Sequence, residues 1–145
     1  MIQYKPDGTK VTKEFTVTEN GGIKLTIYDT SQSEAKIPAT IEFNGKLIKV
    51  NTIGKGSFAG NKNLEKVTIG KYITTIGKNA FRGDSNLKDI TIKSGNITHV
   101  SKNAFKGIAK DAVIKIKASK KKFKEIVAMI KASGISKTVT FERIK

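Results

Sequence analysis

The sequence lacks the residues on which most catalytic and metal-binding chemistry depends. Its 145 residues include no cysteine and a single histidine, His99. Without cysteine the chain has no disulfide, no thiolate nucleophile and no thiolate metal ligand, and the redox compartment stays open. The 12 acidic residues are spread along the chain, so no ligand set typical of zinc or calcium is present. We therefore expect no metal, no cofactor and no enzymatic activity.

Long apolar runs are also missing. No segment approaches the length of a membrane span, and the N-terminal stretch MIQYKPDGTK lacks the apolar core of a signal peptide. If the natural protein is exported, we expect this chain to be an excised piece of it.

Arginine and acidic residues are scarce relative to lysine. The formal net charge is +16, and only Arg82 and Arg143 are arginines. A charge of this size attracts polyanions, but surfaces that read DNA bases usually rely on the bidentate guanidinium group. The composition disfavours sequence-specific DNA recognition and leaves two interpretations open. The lysines keep the protein soluble, or they attract a cell-wall polymer, an acidic glycan or nucleic acid.

One phrase is written three times in the middle of the chain. The copies are VNTIGKGSFAGNKNLEKVTI at 50–69, ITTIGKNAFRGDSNLKDITI at 73–92 and ITHVSKNAFKGIAKDAVIKI at 97–116, at steps of 23 and 24 residues. Such a period is typical of a solenoid, in which no unit buries its apolar face alone and neighbours must stack. We predict that the phenylalanines shared by the copies form a buried column: Phe58, Phe81 and Phe105.

The pattern (V/I)xxIGxxAFxGxxxLxxIxI resembles the BspA-type leucine-rich repeat, a family of bacterial cell-surface and extracellular repeats. The copy at 73–92 fills it without a gap, whereas the third copy has Asp111 where the others have leucine. The position at which the family often carries cysteine holds three other residues: Asn61, Asp84 and Ile108. The resemblance implies a leucine-rich-repeat fold and an extracellular or cell-surface location.

Both ends of the chain depart from the phrase. Alternating apolar residues over 11–28 and the Asn-Gly turn in TIEFNGKLIKV predict two β-hairpins, with a polar loop over DTSQSEAK between them. At the other end, Ser119 fits a helix N-cap and Gly134 a helix end, with apolar residues at helical spacing between them. A last strand follows around Val139.

The predicted fold is a β-rich α/β solenoid of about three short leucine-rich repeats with N-terminal β-hairpins and a C-terminal strand-helix-strand cap. We expect a single domain over 1–145. Within it, residues 1–49 form the N-terminal hairpin cap, 50–118 the repeats and 119–145 the helix and strand cap.

The outward positions of the repeat strands are the candidate binding face. Residues two apart on a strand share a face, so polar residues line up across the strands: Lys66, Thr68, Asp89, Thr91, Lys93, Lys115, Lys117 and Thr140. Solenoids use such extended faces to bind partners. A sheet face that is merely solvated accounts for the same residues.

The family resemblance implies a non-enzymatic binding or adhesion module of a bacterial surface or secreted protein. Its partner would be a host or bacterial surface protein, an anionic glycan or a cell-wall polymer. The alternative is a basic, sequence-non-specific nucleic-acid-binding domain, which only the charge supports. His99 has Thr52 and Thr75 as its counterparts in the other copies, which favours an exposed variable position over a catalytic base. The oligomeric state stays open.

Overall fold

Short strands alternate with turns through most of the computed structural model, which describes residues 13–19, 21–28 and 32–145. In these ranges the strands are β1 (Lys13–Val17), β2 (Ile23–Tyr28), β3 (Glu34–Lys36), β4 (Thr40–Phe43), β5 (Lys46–Ile53), β6 (Lys66–Ile69), β7 (Thr75–Ile76), β8 (Asp89–Ile92), β9 (His99–Val100), β10 (Val113–Lys117) and β11 (Thr140–Ile144). One helix, α1 (Lys120–Ala132), lies between β10 and β11.

The described strands form two sheets. The first sheet has the order β1-β2-β5-β7-β9, with β4 also paired to β5, and the second sheet has the order β11-β10-β8-β6-β3. Pairing is parallel along β5, β7 and β9 and along β6, β8 and β10. Each copy of the repeated phrase therefore contributes one strand to each sheet.

The register joins equivalent positions of the copies. In the second sheet Val67 pairs with Ile90 and Ile90 with Ile114, and all three are fully buried. Because side chains alternate across a strand, the intervening residues Lys66 and Thr68 point away from the core, and they are exposed and half-buried. The alternation that is visible in the sequence thus places the core on the inner side of this sheet.

A stack of aromatic rings runs along the core. The ring centroids of Phe58 and Phe81 are 4.7 Å apart and those of Phe81 and Phe105 are 5.2 Å apart, and all three side chains are buried. The buried column predicted from the sequence is confirmed. It has a further member, because Tyr28 stacks on Phe58 at 4.7 Å.

Close approach of neighbouring chain segments explains one glycine of the phrase. A Cβ atom at Gly77 would lie 2.7 Å from the Lys55 nitrogen and 2.8 Å from the Ile53 carbonyl oxygen. The Gly77 N–H donates to that same oxygen at 2.7 Å. Glycine at this position lets adjacent segments pack backbone against backbone.

The C-terminal helix begins and ends as predicted. The Ser119 hydroxyl accepts a hydrogen bond from the Lys122 N–H at 3.2 Å, and Gly134 follows the helix with a φ of +98°. Ile126 and Ile130 are fully buried on one side of α1, which packs against β9 and β11. β10 precedes α1 in the chain and β11 follows it, and the two strands pair in parallel. The predicted strand-helix-strand order is confirmed.

The N-terminal region agrees with the prediction in part. Both hairpins are present, and Asn44 and Gly45 have φ values of +52° and +77°, as an Asn-Gly turn requires. The polar loop predicted over DTSQSEAK is wrong at its C-terminal end. There β3 pairs in parallel with β6 and buries Ala35. Three residues do not form a strand alone, but here β6 provides the backbone hydrogen-bond partners. The rest of that loop lies mostly outside the described residues.

Candidate binding surface

The outward face of the second sheet presents two rows of side chains that cross the strands. The register aligns one row as Glu34, Lys66, Asp89, Val113 and Thr140. It aligns the next row as Lys36, Thr68, Thr91, Lys115 and Glu142. Six of the eight sequence-predicted residues thus fall into two adjacent rows of one face.

The remaining two predicted residues lie at the end of this face. Lys93 and Lys117 each follow directly on a paired position, Ile92 and Ile116, and both lysines are exposed. This places Lys93 just past the end of β8 and Lys117 at the end of β10, one step beyond the second row.

Carboxylates are interleaved with the lysines on the outward face. Lys66 lies opposite Asp89, and Lys115 lies between Thr91 and Glu142. A further cross-strand pair at the margin joins the Lys88 Nζ to the Glu65 Oε1 at 3.5 Å, with both side chains about half exposed. The lysines of this face therefore form no continuous positive row.

A shallow depression of about 380 Å³ lies at one end of the outward face. The charged side chains that line it include both lysines and carboxylates: Lys88, Asp89, Asp111, Lys115 and Glu142. The described residues contain no group of three or more metal-ligating side chains that would hold an ion. The depression is thus a mixed-charge surface feature, suited to polar contacts with a partner.

His99 lies on the first sheet, away from the outward face of the second. It is exposed at the edge strand β9, in register with Thr75, which is itself in register with Thr52. Its Nδ1 is 3.0 Å from the Thr98 Oγ1. The counterparts inferred from the sequence are thus the residues that pair in the sheet.

One ionisable residue of the repeat region, Asp84, is buried, and its position in the repeated phrase did not indicate this burial. Asp84 has no exposed surface, and its Oδ1 accepts the Asn61 N–H at 2.7 Å. Among the described residues its Oδ2 has no hydrogen-bond partner. Burial raises the pKa of Asp84 to about 8, against the opposing effects of the Asn61 N–H, the Lys62 ammonium and the Gly60 N–H.

The neighbouring copy shows what this buried position requires. Asn61 is also buried, and its Nδ2 donates to the Tyr28 carbonyl oxygen at 3.1 Å. The side chain at this position thus accepts a hydrogen bond in the second copy and donates one in the first. An amide can do both, whereas an ionised carboxylate only accepts. The alignment of Asp84 with Asn61 was visible in the sequence. How deeply both side chains are buried was not.

No helix in the described part of the chain is both long enough and apolar enough to cross a membrane.

Similarity to a known family extends beyond the three copies on both sides. Residues 26–139 match a family model described as BspA type Leucine rich repeat region (6 copies). A search of the curated proteins finds no match.

Solved structures of bacterial leucine-rich repeat proteins share the fold. One from Bacteroides capillosus has a TM-score of 0.67 at 23% identity, over 92% of this chain and 95% of that one. A leucine rich cell surface protein from Faecalibacterium prausnitzii has a TM-score of 0.61 at 20% identity, over 99% of this chain and 43% of that one. The T. pallidum leucine rich repeat protein has a TM-score of 0.59 at 20% identity, over 77% and 53%. The chain thus spans about half the length of these last two proteins.

Proposed function

The chain belongs to the BspA-type leucine-rich repeat family, and from that premise we propose that it is a non-enzymatic binding or adhesion module of a bacterial surface or secreted protein. The partner is a host or bacterial surface protein, or an anionic glycan or cell-wall polymer, held on the outward face of the second sheet. An extracellular or cell-surface location goes with this proposal. The printed description of the Faecalibacterium protein as a cell surface protein supports that location.

The finer architecture belongs to the same proposal. Continuous parallel pairing from β3 to β11 supports a solenoid in a single domain over 1–145. The three copies of the phrase support a count of about three repeats. In this proposal 1–49 is the N-terminal hairpin cap, 50–118 holds the repeats and 119–145 is the helix and strand cap.

The observation that carries the proposal is the aligned polar face itself. Thr68 and Thr91 lie in register at its centre and are half-buried, with exposed or half-buried charged residues around them. Small hydroxyl side chains at the centre leave the strands accessible to a partner, and charges of both signs at the margin provide specific polar contacts. Extended faces of this kind are the usual contact surfaces of stacked repeats.

A steric test distinguishes this face from the rest of the molecule. We would replace both Thr68 and Thr91 by tyrosine and measure adhesion of the chain to intact bacterial and host cells and to immobilised extracellular-matrix proteins. The matched control introduces tyrosine in place of Thr52 and Thr75, which are in register on the outward side of the first sheet. We expect the Thr68/Thr91 variant to lose most binding and the control to retain it. Equal binding by the two variants, or no binding by the unmodified chain, would contradict the proposal.

Sequence-non-specific nucleic-acid binding is the second candidate, and the net charge of +16 favours it. Salt separates the two, because lysine–phosphate contacts weaken steeply as salt rises whereas a shape-complementary protein interface changes little. Binding to cell surfaces that persists at high salt supports the adhesion module. Binding that is confined to low salt and strongest for nucleic acid supports the alternative.

A further inference from the structure

A second surface, on the turns between the two sheets, carries lysine at the same position of each copy. Lys55, Lys78 and Lys102 follow closely on the strands β5, β7 and β9. Backbone hydrogen bonds stack these turns, because the Gly56 N–H donates to the Lys78 carbonyl at 3.0 Å and the Asn79 N–H donates to the Lys102 carbonyl at 3.2 Å. The three lysines therefore stand about one strand spacing apart, roughly 4.8 Å from turn to turn.

Two of the same turns carry a further cation four residues after the lysine. The Gly60 N–H donates to the Arg82 carbonyl and the Gly83 N–H donates to the Lys106 carbonyl, both at 2.9 Å. Arg82 and Lys106 are thus stacked in the same manner as the lysines. We call the five residues the basic edge: Lys55, Lys78, Arg82, Lys102 and Lys106, all exposed.

Acidic residues are missing from these turns. The segments 54–60, 77–83 and 101–107 contain no Asp or Glu. The adjacent Asp84 has no exposed surface, and within the described ranges no cation of the basic edge forms an ion pair. The outward face of the second sheet, by contrast, mixes both signs.

Like charges stacked side by side weaken a fold, because they repel across each turn. Departures from local consistency tend to mark functional surfaces. The cations of the basic edge are evenly spaced. They can therefore pair with evenly spaced anionic groups on a linear polymer that runs across the turns.

We propose that the basic edge is a second binding surface and that it holds a linear polysaccharide bearing sulfate or carboxylate groups. The proposal rests on the binding-module function above but places the anionic partner on a different surface. The aromatic residues of these turns are buried in the ring stack, so the edge offers no platform on which nucleic-acid bases would stack. Four of its five cations are lysines, which act as flexible point charges and suit weak, multivalent contacts better than bidentate phosphate recognition.

Three variants with equal changes in charge test the position of the site. In each, four lysines become glutamine, so the net charge falls from +16 to +12 (16 − 4). The edge variant changes Lys55, Lys78, Lys102 and Lys106. The face variant changes Lys66, Lys93, Lys115 and Lys117. The helix variant changes Lys120, Lys121, Lys122 and Lys124. A thermal unfolding scan of each variant confirms that it is folded before binding is compared.

Affinity is then measured at a fixed salt concentration for three probes: a heparin oligosaccharide, an oligogalacturonate and oligo-dT. For the two saccharides we expect the edge variant to lose at least about tenfold and the other variants to lose much less. A preference for heparin over oligogalacturonate, or the reverse, tells sulfate from carboxylate recognition. Equal losses from all three variants, or the largest loss from the face variant, would overturn the proposed site. Tighter binding of oligo-dT than of both saccharides by the unmodified chain would overturn the proposed partner. None of these outcomes bears on the Thr68/Thr91 test of protein adhesion.

Discussion

The two ends of the repeat region are closed in different ways. At the C-terminal end, α1 buries Ile126 and Ile130 completely, and the Asn103 N–H donates to the Ser133 carbonyl at 2.7 Å, which joins the end of the helix to the last repeated turn. At the N-terminal end the first sheet ends in the β1–β2 hairpin and the second sheet in the short strand β3. The adjoining β4–β5 hairpin leaves large apolar side chains open, with Phe43 49% and Leu47 74% exposed. Stability should therefore depend far more on the C-terminal closure than on the hairpin tips.

Removal of the C-terminal closure gives the largest expected effect. Deletion of 119–145 takes away α1 and β11, so it strips the helix from the core and leaves β10 as an open edge strand. We expect the shortened chain to be insoluble on expression, as measured by the fraction in the supernatant after lysis. A shortened chain that stays monomeric and keeps its thermal transition would show that this segment is an appendage.

The middle of the ring stack should be the next most sensitive place. Phe81 has an aromatic neighbour on each side, at 4.7 and 5.2 Å, so Phe81→Ala should lower the free energy of unfolding by about 3–5 kcal/mol. Tyr28→Ala should cost less, because among the described residues Tyr28 stacks on one ring, that of Phe58. Denaturant midpoints measure both. A loss below about 1 kcal/mol for Phe81→Ala contradicts the burial of the column.

The buried carboxyl of the central copy predicts a pH dependence that the asparagine of the first copy does not. The folded-state pKa of Asp84 is about 8, above its ordinary value of 3.8. Between these values the folded protein holds a proton that the unfolded chain has released, so stability falls as pH rises through this window and levels off above it.

Asp84→Asn should remove this slope and stabilise the protein at pH 9 by about 1–3 kcal/mol, because the amide provides a donor as Asn61 does. Denaturant unfolding at pH 5, 7 and 9 measures the effect. Parallel pH profiles for the variant and the unmodified chain would refute the assignment. Asn61→Asp is the reciprocal variant, and it should introduce a second falling segment.

The hairpin tip should show the smallest effect. Leu47 is 74% exposed, so Leu47→Ser should change the free energy of unfolding by no more than about 0.5 kcal/mol. The midpoint of thermal unfolding is a sufficient measurement. A loss comparable to that of Phe81→Ala would mean that the hairpin tip contributes to stability as a core position does, contrary to the exposure of Leu47.

Much of the fold could be predicted because it is repeated. The three copies align residue by residue in the sequence, so the ring stack, the buried strand positions and the turns follow from one alignment. The short strand β3 escaped prediction, since its residues Glu34–Lys36 have no strand pattern of their own and depend on pairing with β6. Tyr28 was assigned to a hairpin, yet its ring extends the stack of phenylalanines.

The candidate surfaces, too, could be predicted only in part from the sequence. The outward residues were predictable because a strand alternates with period two. Their neighbours across the strands depend on register, and it is register that places Asp89 beside Lys66 and Glu142 beside Lys115. The basic edge was present in the sequence as a lysine at one position of each copy, but its stacking and the burial of the adjacent Asp84 emerge only in the folded chain.

The sequence by itself determined the repeat, its period, its core positions and its family, because these are local patterns copied along the chain. Only the tertiary structure decided which charges face one another, how deeply Asp84 is buried and which segments outside the repeat join the sheets. The physical reason is that desolvation, hydrogen-bond partners and cross-strand neighbours are properties of the space around a side chain. That space is made by residues distant in the chain, such as Asn61 beside Asp84, 23 positions away.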